Sequence, residues 1–459
     1  MSAMGMTRRK AIGVTAAAVG GALVAVAAPA PGVRADAGPP TVADWVERHA
    51  VRLRTVDPQA PLHDLNPLRR SVGDATIVGL GESTHGAAEE ITLKHRTLRL
   101  LVEKLGFRSL AWEADWTVGV GIDDYLRTGE GDPEALVRGM ATTWRSQEVV
   151  AVLRWLREFN AAHPNDQVRF TGVEFFATGE PAYDAVTAYV TRVAPERLAD
   201  LHEHLRPIEP ETPNIGEWAF EYSGLDDEEQ QTYIDDARAV YDLVRTLPHR
   251  RGDRAHATAL HHARQIVYFY EYFAMERGTR EMNEYRDSRA ARNLRWWLRH
   301  SGDKTVYWAA TAHTANAPGV TISAPPEGDT RFDSVGSYMR RWYGRRYLSV
   351  GFTFDRGTVR ASSHTPPYLP EPVRVPSPPA GWADHPLGKV PASQFAVDLR
   401  RRAPGPVRAW MTAPTRIRVV GSFDPARPQD FHMTSGSLSQ WFDVIVHRQE
   451  VTSWKPLTD

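Results

Sequence analysis

The sequence predicts an α/β protein with a central, mainly parallel β-sheet, flanking helices and a large helical insertion. Short runs of aliphatic and β-branched residues recur along the chain, and amphipathic segments with helical spacing separate the earlier runs. Strands that alternate with helices in this way are typical of a mainly parallel sheet. The middle of the chain departs from the alternation and carries a helical pattern alone.

Five of the apolar runs have the length and composition of buried strands. They occupy residues 75–80, 108–112, 168–173, 305–309 and 347–354. A helix before the third strand is predicted by apolar residues that share one face, namely Val149, Val152, Leu153, Leu156 and Phe159. We therefore expect these strands to form one sheet with helices between them.

The helical insertion is predicted from about residue 183 to residue 300. Its helices are expected near 196–206, 226–247, 255–276 and 284–300, with a Pro-rich stretch at 207–213. After residue 362 the chain is Pro-rich, and strand-like pieces follow near 416–420 and 441–447. No flexible Gly/Ser linker or charge run separates this tail, so we expect it to complete the same domain.

The first residues are typical of a leader for twin-arginine export. Arg8-Arg9-Lys10 precedes an Ala- and Gly-rich run, and a small-residue cleavage site follows at Ala35-Asp36-Ala37. We expect a signal peptide at residues 1–37, one domain at residues 38–459 and a secreted protein without a stable membrane partner. An uncleaved membrane anchor is the alternative, but the run is barely long enough to span a bilayer.

The composition argues against several classes of function. The 459 residues include 55 Lys and Arg against 56 Asp and Glu, with no block of like charge in the body of the chain. A nucleic-acid partner would demand a basic face, so none is expected. The chain has no cysteine, which excludes disulfides, thiolate nucleophiles and metal sites with cysteine ligands.

The candidate functional residues share one position relative to the predicted strands. Glu82 and His85 follow the first strand, Glu113 the second, Glu174 the third and His313 the fourth. The carboxyl ends of parallel strands line one edge of a sheet, where ligands bind. We therefore expect these side chains to meet in one crevice. Polar residues also follow strands for backbone reasons alone, and for Glu174 this explanation remains open beside the functional one.

Several motifs resemble the erythromycin esterase family. The signature of that family is a strand followed by Gly-Glu-small-Thr-His-Gly, then a Glu and a basic residue on the next helix. The segment Gly81–Gly86 with Glu89 and Lys94 is similar to it. Further similar segments are 107–113, 144–148, 155–160, 286–293, 336–337 and 441–452. The resemblance covers nearly the whole chain after the leader.

This resemblance implies a hydrolase that cleaves a small-molecule ester or macrolactone, and we expect no cofactor and no metal. It implies that His85 is the general base with Glu82 and Glu113 as its acidic neighbours. We expect Lys94 and His313 to be further catalytic residues, and Trp144, Arg145 and Glu174 to bind substrate. Neutral imidazole takes a proton from water while a carboxylate stabilises the imidazolium. The oxyanion would then need a donor such as His313, Lys94 or a backbone N–H near Gly86.

One departure from the family pattern concerns a pair of histidines. The family commonly has two histidines three residues apart, whereas this sequence has Ala310 in the first position and keeps only His313. The side chain of Ala310 cannot bind an oxyanion or move a proton. We therefore expect either a slower enzyme or a substrate other than a macrolide.

Three alternatives remain open. A serine esterase is suggested by Gly81-x-Ser83, which half resembles a nucleophile elbow, although His85 occupies the position of the final glycine. Metal-assisted hydrolysis is suggested by the possible ligands Glu82, His85, Glu89, Glu113 and His313. The third alternative is a secreted protein that binds its ligand without cleaving it, which the Ala310 departure favours.

Overall fold

The described residues form a mainly parallel β-sheet with helices packed on both of its faces. The structure is a computed structural model that describes residues 41–325, 328–362 and 369–457. The signal peptide predicted at residues 1–37 lies outside the described residues. None of the helices within these three ranges combines the length and apolar character that crossing a bilayer requires.

Strands and helices alternate from the start of the described chain to the fourth strand. The strands are β1 (Val51–Arg52), β2 (Ile77–Glu82), β3 (Ser109–Asp115), β4 (Arg169–Glu174), β5 (Thr305–Ala310), β6 (Val320–Ser323), β7 (Asp329–Phe332), β8 (Tyr347–Ser362), β9 (Pro370–Val375), β10 (Gln394–Asp398), β11 (Ile417–Arg418), β12 (His432–Thr434) and β13 (Val444–Val451). The helices are α1 (Val42–His49), α2 (Leu68–Val72), α3 (Ala88–Leu105), α4 (Trp116–Thr128), α5 (Pro133–Arg138), α6 (Gln147–Ala162), α7 (Glu180–Val193), α8 (Leu198–Leu205), α9 (Ile215–Ser223), α10 (Asp227–Thr246), α11 (Arg254–Phe273), α12 (Arg280–Ser301), α13 (Thr311–Thr314), α14 (Val335–Tyr343), α15 (Gly405–Thr412) and α16 (Leu438–Trp441).

The central sheet has the strand order β1-β10-β13-β8-β2-β5-β3-β4, and β9 pairs with β8 outside this path. The strands from β13 to β4 run parallel, whereas β1, β10 and β9 pair antiparallel with their neighbours. A separate antiparallel sheet has the order β11-β12-β6-β7. The predicted α/β class is confirmed, and the carboxyl ends of β2, β5, β3 and β4 lie side by side at one edge.

Burial on both faces explains why the central strands are almost continuously apolar. Every residue of β2 and β3 is buried. One face of the sheet packs against α3, α4 and α6 through a core that includes Val78 and Leu110. The other face packs against α12 and α14 through Ile77 and Ala111, the residues next to those in sequence. Alternate side chains of one strand therefore enter two different hydrophobic layers.

The later strands depart more from the sequence prediction than the earlier ones. The runs predicted at 75–80, 108–112, 168–173 and 305–309 match β2, β3, β4 and β5 within a few residues. The run at 347–354 continues as β8 to Ser362, where it pairs with β9 in the Pro-rich segment. Pro370 and Pro372 are tolerated there because β9 pairs on one side only, so the missing N–H groups break no second ladder.

The helical segment divides into two parts. Helices α8, α10 and α11, together with α7 and α9, which were not predicted individually, share a core of their own that includes Val186, Leu201 and Ile266. Helix α12 packs on the sheet instead, through Ala290 and Leu294. We call helices α7 to α11 the helical layer. The chain between β4 and α9 leaves the carboxyl edge of the sheet, forms part of this layer and returns to that edge.

Candidate active site

The site is built where four parallel strands end. Glu82, Glu174 and Ala310 are the last residues of β2, β4 and β5. Glu113 lies near the end of β3, where the register against β4 shifts between Trp112 and Asp115. Such a bulge inserts an extra residue and re-aims side chains next to it. The backbone geometry of neighbouring strands thus brings these residues to one place.

Glu82 holds His85 through one carboxylate oxygen and Lys94 through the other. The distance from Glu82 Oε1 to His85 Nδ1 is 2.9 Å, and Glu82 Oε2 forms an ion pair with Lys94 Nζ. Lys94 is fully buried, with Nζ 4.3 Å from the ring centre of Trp308. Burial lowers the pKa of Lys94 well below its usual range, and the charge of Glu113 opposes that shift.

His85 reaches the surface of a large cavity. Its side chain is 19% exposed, and its ring packs against Trp144 at a centre-to-centre distance of 4.4 Å. Because Nδ1 is bound to Glu82, Nε2 is the ring nitrogen left to contact a bound molecule. Burial lowers the pKa of His85, which the nearby Glu113 carboxylate opposes and the charges of His313 and Arg286 reinforce. The imidazole is therefore neutral at neutral pH.

Glu113 is surrounded by donors and cations. Its Oε2 accepts the backbone N–H of Ala310 at 2.8 Å, and its Oε1 accepts from Arg286 Nη2 at 2.9 Å. His313 Nε2 lies 3.3 Å from the same Oε1. Burial disfavours the carboxylate, but His313, His85, Arg286 and the Ala310 N–H together lower the pKa of Glu113 to about 2. Glu113 is thus an anion at neutral pH.

His313 is engaged at both ring nitrogens. Nδ1 lies 2.9 Å and 3.0 Å from the two oxygens of Asp287, and Nε2 faces Glu113. Burial lowers the pKa of His313, but Asp287 and Glu113 outweigh burial and the opposing charge of Arg286, so the net shift is upward. In this arrangement neither nitrogen of His313 is free to donate to an oxyanion, and Lys94 is likewise committed to Glu82.

A cavity of about 1200 Å³ lies over this edge of the sheet. Its floor contains His85, Glu113 and Glu174, and one wall contains Trp144 and Arg145. The cavity is also lined by the start of α7 and by residues 209–216, which belong to the helical layer. Pockets of this size hold small organic molecules. The cavity therefore offers a binding site directly above the histidine.

The eight residues named from the sequence take two positions. Five of them line the cavity, namely His85, Glu113, Trp144, Arg145 and Glu174. The other three, Glu82, Lys94 and His313, lie behind them and reach the cavity through His85 and Glu113. Trp144 also donates from Nε1 to the backbone carbonyl of Glu113 at 3.1 Å, so it fixes the site as well as lining it.

Two functional residues were missed by the sequence analysis. Arg286 bridges Glu113 and Glu174, and Asp287 binds His313. Both lie on α12, more than a hundred residues from β3 and β4 in sequence. The segment 286–293 resembled the family, which was a signal of importance, but nothing in the sequence indicated which carboxylates the arginine would contact.

Ser83 does not occupy a nucleophile position. Its side chain is buried, and its hydroxyl donates to Glu90 Oε1 at 2.8 Å. Burial raises the pKa of Glu90 to about 8, against hydrogen bonds from Ser83 and Thr84 that lower it. The residues that line the cavity include His85 but not Ser83. This geometry disfavours the serine-esterase alternative.

A metal ion has one possible place among the described residues. Glu82, His85 and Glu113 each offer a ligand atom, and these atoms lie within 4.8 Å of one another. Glu89 is not part of this group, because its carboxylate accepts the backbone N–H and the hydroxyl of Thr452. Lys94 already neutralises Glu82, and His313 with Arg286 neutralises Glu113, so a metal ion would compete with cations of the protein.

The fold and the cavity place the chain among α/β enzymes that act on small molecules at the carboxyl edge of a parallel sheet. Within that class it belongs to the erythromycin esterase family, whose model matches residues 102–451. The family resemblance noted from the motifs is thus confirmed, and the protein is a hydrolase of that family.

Comparisons with individual proteins agree with this assignment. The erythromycin esterase type II of Escherichia coli is 24% identical over 334 residues, which cover 69% of this chain and 78% of that protein. A crystal structure of a Bacillus cereus protein matches with a TM-score of 0.80 and 27% identity, covering 91% of this chain and 98% of that chain. A mutant erythromycin esterase in its open conformation shares the fold, with a TM-score of 0.68, 17% identity and coverage of 90% and 99%.

Proposed function

We propose that this protein hydrolyses an ester or lactone bond of a small molecule with a water activated by His85. The single observation that supports this most is the position of the His85 ring, which Glu82 binds at Nδ1 beneath a large cavity. A histidine held in this way presents a neutral Nε2 to bound water, and its low pKa keeps that nitrogen free of a proton.

The first step moves a proton from water to His85 Nε2. The imidazolium that forms is stabilised by Glu82 at 2.9 Å and by the nearby anion Glu113. The oxygen of the water attacks the carbonyl carbon, and the carbonyl electron pair moves to its oxygen. Arg286 is the best-placed donor for this oxyanion, because it lines the cavity and its Nη1 has no acceptor among the described residues.

The family and the cavity support a small-molecule ester or lactone as the substrate class. Ala310 presents only a methyl group at the end of β5, and its backbone N–H is already bound to Glu113. A substrate that depends on a side-chain donor at this place would react slowly. We infer that simple esters or lactones are cleaved more readily than macrolides.

The experiment compares purified wild-type protein, His85→Ala and Ser83→Ala against a panel of esters, lactones and macrolides. We expect His85→Ala to lose activity by roughly 100-fold to 10,000-fold. Ser83→Ala keeps its activity if the hydroxyl serves only Glu90. Activity of His85→Ala at the wild-type level would contradict the proposal, and no turnover of any panel member by the wild type would favour a ligand-binding protein.

Metal-assisted hydrolysis is the second candidate, and the convergence of Glu82, His85 and Glu113 is the observation that favours it. In that case a bound cation would lower the pKa of water directly. Metal analysis of the purified protein, followed by chelation and re-addition of Zn²⁺, distinguishes the two candidates. Activity that survives complete metal removal supports the histidine mechanism.

We also propose that the protein is exported in folded form by the twin-arginine route. The paired arginines and the small-residue cleavage site in the first 37 residues support this. The absence of cysteine agrees with it, because a folded domain without thiols needs no oxidative maturation after export.

A further inference from the structure

The cavity floor contains a second carboxyl group that the steps above do not use. Glu174 ends β4, is 3% exposed and lines the cavity together with His85 and Glu113. Its Oε1 accepts from Arg286 Nη2 at 3.0 Å and from Nε at 3.2 Å. Its Oε2 is buried and has no hydrogen-bond partner among the described residues. A buried, unpaired carboxylate oxygen is unfavourable, whereas a carboxylic acid can keep its proton on that oxygen.

Glu113 and Glu174 share Arg286 but differ in their other neighbours. Glu113 also accepts the Ala310 N–H and faces His313, so it remains ionised. The charged groups that act on Glu174 are Arg286, Glu113, His313 and Asp287, and two of these four are anions. Burial, which Arg286 opposes, raises the pKa of Glu174 to about 7. Environments that push the pKa values of two carboxyl groups apart in this way divide acid and base roles between them.

We propose that Glu174 is the general acid that protonates the departing alcohol, an inference that rests on the hydrolysis proposed above. One of its oxygens is held by Arg286, which is also the proposed oxyanion donor, so the acid lies beside the carbon that reacts. The unpaired oxygen is buried, and rotation about the terminal torsion, which is broad in glutamate, would expose it to the cavity that Glu174 lines.

The proton balance of this step closes within the site. When the tetrahedral intermediate breaks its bond to the leaving oxygen, that oxygen takes the proton from Glu174. The products are the carboxylic acid and the alcohol, and the enzyme is left with the His85 imidazolium and the Glu174 carboxylate. Transfer of one proton from His85 to Glu174 through water restores both groups. The net reaction consumes one ester and one water.

The experiment uses two esters that differ in their need for an acid. Ethyl acetate releases a strongly basic alkoxide that must be protonated, whereas para-nitrophenyl acetate releases a stable anion that leaves without a proton. We expect Glu174→Gln to lower kcat/KM for the ethyl ester by roughly 100-fold or more and to leave the nitrophenyl ester nearly unchanged. Glu203→Gln is the matched control, because Glu203 is exposed on α8 and does not line the cavity.

Equal losses with both esters, or no loss with either, would overturn the assignment, since a purely structural role does not depend on the leaving group. The wild-type enzyme gives a second measurement that needs no variant. Because the acid form of Glu174 is required, kcat for the ethyl ester should fall as pH rises through about 7. The nitrophenyl ester should show no such decline, and identical profiles for the two esters would also refute the role.

The failure of this inference can be distinguished from failure of the proposed function. His85→Ala should reduce turnover of both esters, because both need an activated water. If His85→Ala loses activity while Glu174→Gln affects the two esters equally, the histidine mechanism is supported and Glu174 has no role as its general acid. Full activity in His85→Ala would instead refute the histidine mechanism, whatever Glu174→Gln does.

Discussion

Glu82 positions the proposed general base His85 and forms an ion pair with the buried Lys94. Its two oxygens bind His85 Nδ1 at 2.9 Å and Lys94 Nζ, and Lys94 has no exposed surface. Glu82→Gln keeps the shape of the side chain and removes its charge. The substitution therefore tests a catalytic consequence and a structural consequence at once.

The structural consequence follows from the buried ion pair. Removal of one partner of such a pair costs about 3–5 kcal/mol, because the other charge remains buried without compensation. Burial already lowers the pKa of Lys94, so the lysine can lose its proton in the variant and limit the cost to the lower end of that range. The catalytic consequence is a loss of roughly 100-fold to 10,000-fold in kcat/KM, because the imidazole loses the carboxylate that orients it and stabilises its cation.

The assay is a double-mutant cycle with Glu82→Gln, Lys94→Met and the double variant. Urea unfolding gives the free energy of unfolding, and para-nitrophenyl acetate gives kcat/KM. The double variant should regain about 2 kcal/mol of stability relative to Glu82→Gln, because neither charge is then left unpaired. Its activity should stay low. Recovery of activity in the double variant would refute the reasoning, since Glu82 would then serve only to neutralise Lys94.

Three further predictions concern stability, export and the missing histidine. The pKa of Glu113 is about 2, against an ordinary value of 4.5. Its carboxylate therefore contributes about 3 kcal/mol to the free energy of unfolding, a contribution that is complete above pH 4.5 and is lost as pH falls towards 2. Glu113→Gln should flatten that part of the pH dependence of stability measured by urea unfolding. Replacement of Arg8 and Arg9 by Lys should block secretion on fractionation and leave the folded enzyme active, and unchanged secretion would contradict the twin-arginine route. Ala310→His should change turnover by up to about 100-fold but should not rescue His85→Ala, because a donor and a base act on different atoms.

The sequence predicted which residues form the site better than it predicted their contacts with one another. Glu82, His85 and Glu113 could be placed because each follows an apolar strand, and the carboxyl ends of parallel strands meet. The contacts of Glu174 with Arg286 could not be placed, because they join β4 to a helix 112 residues later in the chain. Local periodicity carries no information about which helix face will cover a given strand end.

The same limit applies to the elements around the site. Strand β9 was missed because proline argues against a strand. The prolines are tolerated because β9 pairs with β8 on one side and with no strand on the other among the described residues. The part of the cavity lining at residues 209–216 overlaps the Pro-rich stretch 207–213, which has no periodic signal. Its place over the strand ends depends on how the helical layer packs, which is a tertiary property.

His313 contributes to this site through charge, although it does not line the cavity. The ionised Glu113 close to His85 acts to raise the pKa of that imidazole. His313, supported by Asp287, and Arg286 neutralise Glu113, so burial decides the outcome and the pKa of His85 falls. The loss of a histidine at position 310 leaves this arrangement intact, because residue 310 binds Glu113 through its backbone N–H, which every residue except proline supplies. The alanine therefore removes a possible contact to substrate and keeps the charges around the proposed base His85 unchanged.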